Sequence, residues 1–252
     1  MTESTLLLAI DTCGPSGSVA LGRLSGQAVE ILGQIELEGR SYSSTLVAAI
    51  GEVLAHGGVT LADVSAIVAV NGPGSFTGVR VGLAAVKGLA EPQRIPVVAV
   101  SRLEVLAAKS GVPWAALDAH RNEVFLRTSE EGWVPQLPSL GPGKPRTSKG
   151  SSPTELLAGA NELAAISPAP PQVALCDEAA AQLLSLTWPG TELIRTAPPT
   201  AADALVLCAP RVAAGEFVDL ALLDGHYLRR SDAEIFGAEV SHEPAAVMAQ
   251  RS

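Results

Sequence analysis

The stretch AVNGPGSFTGVRVGLAAVKGLA, residues 69–90, decides how the rest of the chain is read. It continues the apolar run Ala66-Ile67-Val68-Ala69-Val70, whose length and Gly/Pro boundary predict a strand buried on both faces. Asn71-Gly72-Pro73-Gly74 is a turn, and Ser75 or Thr77 is placed to cap a helix running on from it. Within that helix Gly78, Gly82 and Ala85 lie three and four residues apart, so they share a face. A face without bulk predicts close approach by another helix. The unit therefore poses a choice between gripping a phosphate and gripping a protein.

Outward from this unit, the chain reads as one plan written twice. Leu6 to Asp11, Ser18 to Arg23 and Val29 to Leu37 predict a three-strand meander. Leu46, Ile50, Val53 and Leu54 mark a helix over 43–56, stopped at Gly57-Gly58. After the opening strand and helix come a strand over 95–100 and a helix capped by Ser101 and closed at Gly111. The second pass begins with Trp114 to Asp118, an apolar run ending in Asp as Leu7 to Asp11 does. Strands are predicted over 123–127, 133–137, 173–176 and 192–195, and helices over 154–166, 178–186 and 200–214. Residues 141–153, rich in Gly, Pro, Ser and Lys, read as a linker, and the chain after Glu216 shows no clear element beyond Tyr227-Leu228-Arg229. Meanders followed by alternating strands and helices predict an α/β fold of two mixed sheets flanked by helices. The expected organisation is a first half over 1–110 with a helical interface, a smaller divergent half over 111–230, and a tail over 231–252. Asp11 and Asp118 then stand at related strand ends of a shared cleft.

Composition narrows the function classes. The chain has 252 residues, is 47% hydrophobic, and has no apolar run of bilayer length. Its first residues lack the basic start of a signal peptide, so a soluble cytoplasmic protein is expected. Cys13, Cys176 and Cys208 are far apart and odd in number, which argues against a disulfide framework or a thiolate zinc site. The net charge is −9, concentrated after residue 150, a poor footprint for binding nucleic acid alone.

The motifs exclude more chemistry than they supply. A P-loop needs its lysine at the helix start, and Lys87 comes about three turns too late. A dinucleotide fingerprint would need glycine at position 77, where Thr77 stands. Gly72 and Gly74 are therefore read first as a tight turn, with a phosphate cradle as the alternative. Asp11 with Thr12 could hold a magnesium–nucleotide or brace its turn, and Asp118 with Arg121 and Glu123 could line a cleft or brace a turn. The neutral Asn71 at the next strand end leaves a two-metal nuclease without its carboxylates. His56, His120, His226 and His242 include no helical metal pair, which disfavours a metallopeptidase. No complete catalytic set emerges. The Ser43–His56 helix and the helix after Ser75 instead offer an apolar, low-charge pair of faces, read either as a protein interface or as a cover for the sheet.

Several motifs resemble the bacterial TsaB family: Leu8-Ala9-Ile10-Asp11-Thr12, the run Gly72 to Ala84 with Lys87 to Ala90, Ile95-Pro96-Val97, and Val100 to Glu104. Ala116 to Ala119, Arg121, Glu123-Val124 and Tyr227 to Arg229 agree more loosely, and residues 130–225 add almost nothing. The resemblance implies a duplicated RNase H-like, actin-like ATPase fold. It also implies an accessory, non-catalytic role in making N6-threonylcarbamoyladenosine in tRNA. Implied partners are a larger TsaD-like paralogue that carries the metal and the transfer chemistry, and a TsaE-like ATPase. The implied pairing uses the two helices, with the paralogue or, in the isolated chain, with a second copy as a homodimer. ATP and metal are expected on the partners and neither is expected tightly bound here; tRNA is met only through the complex, and no membrane is involved. Leu46, Ile50, Val53, Thr77, Arg80, Val81, Gly82, Ala84, Ala85 and Gly88 are the expected interface, and Asp11, Thr12 and Asp118 a vestigial nucleotide cleft. The alternative is an ATP-dependent phosphotransferase of the same fold. The family's kinship label of glycoprotease or M22 peptidase lacks its metal histidines here. The chain departs from the family at Tyr42, where a histidine is usual.

Overall fold

The computed structural model describes residues 5–26, 28–39, 41–128 and 154–229. In the first half, β1 (Thr5–Asp11), β2 (Ser16–Ser25) and β3 (Ala28–Glu38) form the meander, followed by α1 (Tyr42–His56), β4 (Val64–Val70), α2 (Phe76–Gln93), β5 (Val97–Val100) and α3 (Arg102–Ser110). The second half repeats the order with β6 (Ala115–Asp118), β7 (Glu123–Arg127), β8 (Glu155–Gly159), α4 (Ala160–Ala164), β9 (Gln172–Leu175), α5 (Glu178–Thr187), β10 (Glu192–Arg195) and α6 (Ala201–Ala213). Each half forms a five-stranded sheet, and the spatial orders, β3-β2-β1-β4-β5 and β8-β7-β6-β9-β10, are the same. In each sheet the first three strands pair antiparallel and the crossovers through helices make parallel pairs. The repeated plan and the two mixed sheets expected from the sequence are both present.

The strand faces divide by the period of two. Ser18 accepts a hydrogen bond from the Ala201 amide at the start of α6, and Gly22 lies against Leu205 of that helix. Leu21, one residue away, packs instead on Gly57 at the end of α1. The first sheet is therefore a middle layer, with α1 and α2 on one face and α6 across all five strands on the other. The last helix of the second repeat thus completes the core of the first, a placement that chain order does not reveal. Between the halves, α3 packs against β6, β7 and β9, and its Leu103 and Leu106 share a cluster with Leu117 and Phe125.

One element differs from expectation. Residues 154–166 were expected to be a single helix, but Glu155–Gly159 is a strand and the helix occupies only Ala160–Ala164. Periodicity cannot separate strand from helix in a short apolar run, and antiparallel pairing with β7 decides it. This strand takes the third-strand position. The strand expected over 133–137, the linker over 141–153 and the tail over 231–252 lie outside the described residues.

Candidate functional site

Asp11 ends β1, the position expected of a metal ligand in a nucleotide cleft. It is 1% exposed, and both oxygens are engaged: Oδ1 accepts from the Cys13 amide at 2.8 Å, and Oδ2 accepts from Arg102 Nε at 3.2 Å. Arg102, the first residue of α3, is itself 4% exposed. Its guanidinium lies so close to Gly14 that a Cβ there would overlap it. A buried carboxylate needs a cation to offset its desolvation, and here the chain provides one of its own. The turn is fixed further by Tyr42, whose hydroxyl donates to the Gly14 carbonyl at 2.8 Å and whose ring meets Gly17. Burial, and after it the Asp11 carboxylate, push the Tyr42 phenol up to about 12, so it remains a neutral donor. The residue at the family's histidine position thus serves as a brace. These residues do not fit an ATP–magnesium held by Asp11: its carboxylate is buried, each oxygen already accepts a hydrogen bond, and a guanidinium stands against the loop.

Thr12 turns the other way. Its hydroxyl donates to the Gly78 carbonyl at 2.7 Å, locking the β1–β2 turn onto α2. A Cβ on Gly78 would meet the Thr12 carbonyl oxygen at 2.1 Å, one on Gly82 the Thr12 hydroxyl at 2.3 Å, and one on Gly74 the Cys13 carbonyl at 2.1 Å. Gly72 has φ +112°, a conformation glycine alone adopts readily. The tight-turn reading of the Gly72–Gly74 loop is the one the geometry follows. The small face of Gly78 and Gly82, however, receives the chain's own β1–β2 turn rather than another helix.

Asp118 occupies the equivalent strand end of the second half with different partners. It accepts from the His120 amide at 2.7 Å and pairs with His120 Nδ1 at 2.8 Å, while its own amide donates to Asp177. His120, Arg121 and Asn122 all have φ near +58°. Asp118 therefore braces a left-handed turn. Among the described residues no group of three His, Cys, Asp or Glu side chains could hold a metal ion.

The ten residues expected at an interface divide by burial. Leu46, Ile50 and Val53 are buried in the chain's own core and Gly82 against Thr12, so these four are corrected to internal packing. Helical period explains it: 46, 50 and 53 share the sheet-facing side of α1. Thr77, Arg80, Ala84 and Gly88 are exposed, and Val81 and Ala85 half-buried. The exposed residues of α1, the helix that adjoins α2, are Ser43, Ser44, Val47, Ala48, Gly51, Glu52, Ala55 and His56; Val47 is 74% exposed. Cβ atoms at Gly51 and Gly88 would meet nothing within 4 Å. Val47 and Gly51, four apart in the same helix, are exposed although the expected interface does not include them. Sequence reasoning also missed Arg102, which a lone carboxylate at a buried strand end should have demanded.

A second polar cluster lies at the junction. Glu155 of β8, buried, accepts from Ser101 at 2.7 Å, from Arg127 at 2.8 Å and from His226 at 2.8 Å. Burial pushes its carboxyl up, but the His226 and Ser101 hydrogen bonds and the nearby positive charge outweigh that and leave it below the usual glutamate value.

The comparisons with known proteins agree with this architecture. Residues 31–132 match the family model described as TsaD, tRNA N6-adenosine threonylcarbamoyltransferase. The tRNA threonylcarbamoyladenosine biosynthesis protein TsaB of Haemophilus influenzae is 38% identical over 132 residues, 49% of this chain and 53% of that protein. The chain thus spans about half the length of that curated relative. An uncharacterised protein of Mycobacterium tuberculosis is 30% identical over 167 residues, 65% of this chain and 76% of the relative. The solved structure of YeaZ from Pseudomonas aeruginosa superposes with a TM-score of 0.66 at 26% identity, covering 88% of this chain and 99% of that one. This likeness and the two mixed five-stranded sheets fit the actin-like, duplicated RNase H-like α/β fold. With 38% identity to a named TsaB protein over 132 residues and the fold shared over nearly the whole of a solved relative, the chain belongs to the TsaB family.

Proposed function

We propose that this chain takes part in forming N6-threonylcarbamoyladenosine in tRNA as a non-catalytic subunit that docks its α1–α2 face onto a larger TsaD-like paralogue. The observation that carries this reading is the outward face of those helices. Ser44, Val47, Ala48, Gly51, Ala55, Ala84 and Gly88 present small or apolar side chains to solvent. Helical glycine costs about 0.5–1 kcal/mol relative to alanine. At Gly51 and Gly88 nothing in this chain requires that cost, because a Cβ there would meet nothing. A partner helix approaching closely supplies the missing reason. The same face would pair two copies of the isolated chain. On this reading a TsaE-like ATPase joins the assembly, ATP and metal reside on partners, and tRNA is met through the complex. The burial of Asp11 and its pairing with Arg102 support a cleft without tight nucleotide.

The test is reconstitution of tRNA modification from the TsaD-like paralogue with this chain or its Gly51→Leu, Gly88→Leu double variant. The variant should melt no lower than the parent, bind the paralogue at least tenfold more weakly and fail to support modification. Full binding and full modification by the variant would remove the face from the assignment. The phosphotransferase alternative requires submillimolar ATP–magnesium binding by the isolated chain in calorimetry, abolished by Asp11→Asn.

A further inference from the structure

Arg80 and Glu91 are the two exposed charges of α2. They stand eleven residues apart, about three turns at 3.6 residues per turn, so they share a face toward opposite ends of the helix. Between them on that face lie exposed Ala84 and Gly88. Their signs run against the helix dipole. The first turn of α2 holds no acidic residue and its last turn no basic one, so Arg80 stands toward the positive end and Glu91 toward the negative end. Neither charge is matched within the chain. Among the described residues Arg23, Arg102, Arg127, Arg195, Arg211 and Arg229 each pair with a carboxylate, whereas Glu91 joins no ion pair and the Arg80 guanidinium lies 3.7 Å over the centre of the Phe76 ring. Phe76 is braced in turn by Tyr227, whose ring stands 5.1 Å away, so the stack holds the guanidinium in one place on the helix face. Lys87 is half-buried and Arg94 lies past the helix end, so neither belongs to this exposed row.

We propose that α2 pairs antiparallel with α2 of a second copy of this chain, Arg80 of each copy meeting Glu91 of the other. The proposal rests on the reading of the α1–α2 face as a docking surface, and adds the register in which two copies meet. A two-fold interface brings residue i of one copy to residue j of the other and j to i. A row with a cation at one end and an anion at the other therefore complements itself when the helices run antiparallel; a parallel pair would set Arg80 against Arg80 and Glu91 against Glu91. With Ala84 of one copy opposite Gly88 of the other, the pairing is centred on position 86 and Arg80 comes level with position 92 of the second copy. That is one residue, ~1.5 Å along the axis, from Glu91. The same contact forms at both ends. Each Arg80 then stands beside the C-terminal half of the facing helix and each Glu91 beside its N-terminal half, so the charges that oppose their own dipole suit the neighbour's. The small pair at the centre lets the helices approach closely enough for the end side chains to reach across. A guanidinium already held on Phe76 loses little freedom on pairing, and its planar fork suits a carboxylate.

Sedimentation equilibrium of the full chain tests the register. The parent should associate as a dimer. Arg80→Glu alone and Glu91→Arg alone each put two like-charge contacts into that dimer and should weaken it at least tenfold. Both substitutions in one chain exchange the charges and should restore association to within threefold of the parent, as should an equimolar mixture of the two single variants. The positions are exposed and the new charges follow the dipole, so the single variants should keep the parent's circular dichroism. A monomeric parent, single variants that dimerise as the parent does, or a double variant as weak as the singles each overturns the proposal. Gly88→Leu separates that result from failure of the docking reading. If it abolishes both self-association and paralogue binding while the charge exchange restores nothing, the face remains a docking surface and the register is wrong. If it leaves both intact, the docking reading fails and the proposal with it.

Discussion

The two halves share one strand order and differ in how they end their first strand. In the first half the Asp11 carboxylate is sealed with Arg102 beneath Gly14, and the turn is tied to α2 by Thr12 and to α1 by Tyr42. In the second, Asp118 is 23% exposed and pairs with a His120 that is 85% exposed. The strands differ likewise, seven to eleven residues in β1 to β3 against four to five in β6 to β8. The sealed turn thus ties together β1, α1, α2 and α3. In the first half the strand end holds its turn against both helices of the same layer.

The sharpest way to break this comparison is to remove the same carboxylate charge from both halves. Asp11→Asn leaves the buried Arg102 guanidinium without its counter-charge, and the loss should be about 3–5 kcal/mol in chemical denaturation. Asp118→Asn keeps an acceptor for the His120 amide and loses only an exposed pair, so less than about 1 kcal/mol is expected. Equal losses would mean that the two turns are equivalent after all. Next in size is Gly78→Ala, which drives a Cβ into the Thr12 carbonyl and should cost about 3 kcal/mol, at the upper end for overpacking. Alanine tolerated at that position without loss would show that the turn is not locked to α2.

The fold was legible because its signals are local. Apolar runs ending in Asp, Gly/Pro turns, and the caps Ser75 and Ser101 each depend on neighbours within a few residues, and the repeat of their order predicted both sheets. The site was legible only in part. That Gly78 and Gly82 share a face follows from helical period, but what fills that face does not. The filler is Thr12, 66 residues away from Gly78. Similarly, Asp11 and Arg102 are 91 residues apart, and no pattern in either segment announces the other. Leu46, Ile50 and Val53 were read as outward because an apolar stripe marks a helix face without saying whether it meets the chain's own sheet or a partner's. Glu155 was placed in a helix for want of the partner strand that makes it a strand residue.

The junction adds a pH test. Glu155 is held below the usual glutamate value by its hydrogen bonds from His226 and Ser101 and by Arg127, against the effect of burial. A carboxylate whose folded value is depressed stabilises the fold above its unfolded value, about 4.3, and that contribution is lost as pH falls through the folded value. Stability of the parent should therefore fall on acidification below about pH 4.3. Glu155→Gln, which cannot take up the proton, should be less stable at neutral pH and show a shallower decline. Parallel curves for the two proteins would take Glu155 out of the junction's electrostatics.

The smallest effect bears most directly on why the first half is built as it is. Gly51 and Gly88 sit inside helices with open space where a Cβ would go. For the isolated chain, Gly→Ala at either site should raise stability by about 0.5–1 kcal/mol, through better helix propensity and a less flexible unfolded chain. A glycine retained for packing within the chain would respond in the opposite direction, as Gly78 should. The sign thus separates the inward glycines from the outward ones within the same layer of two helices. If Gly88→Ala stabilises the isolated chain and yet weakens its hold on the TsaD-like paralogue, the glycine serves the partner. If alanine stabilises the chain and binding is undiminished, close helix approach at that point is not what the face provides, and its recognition rests on Val47, Ala48 and Ala84 instead.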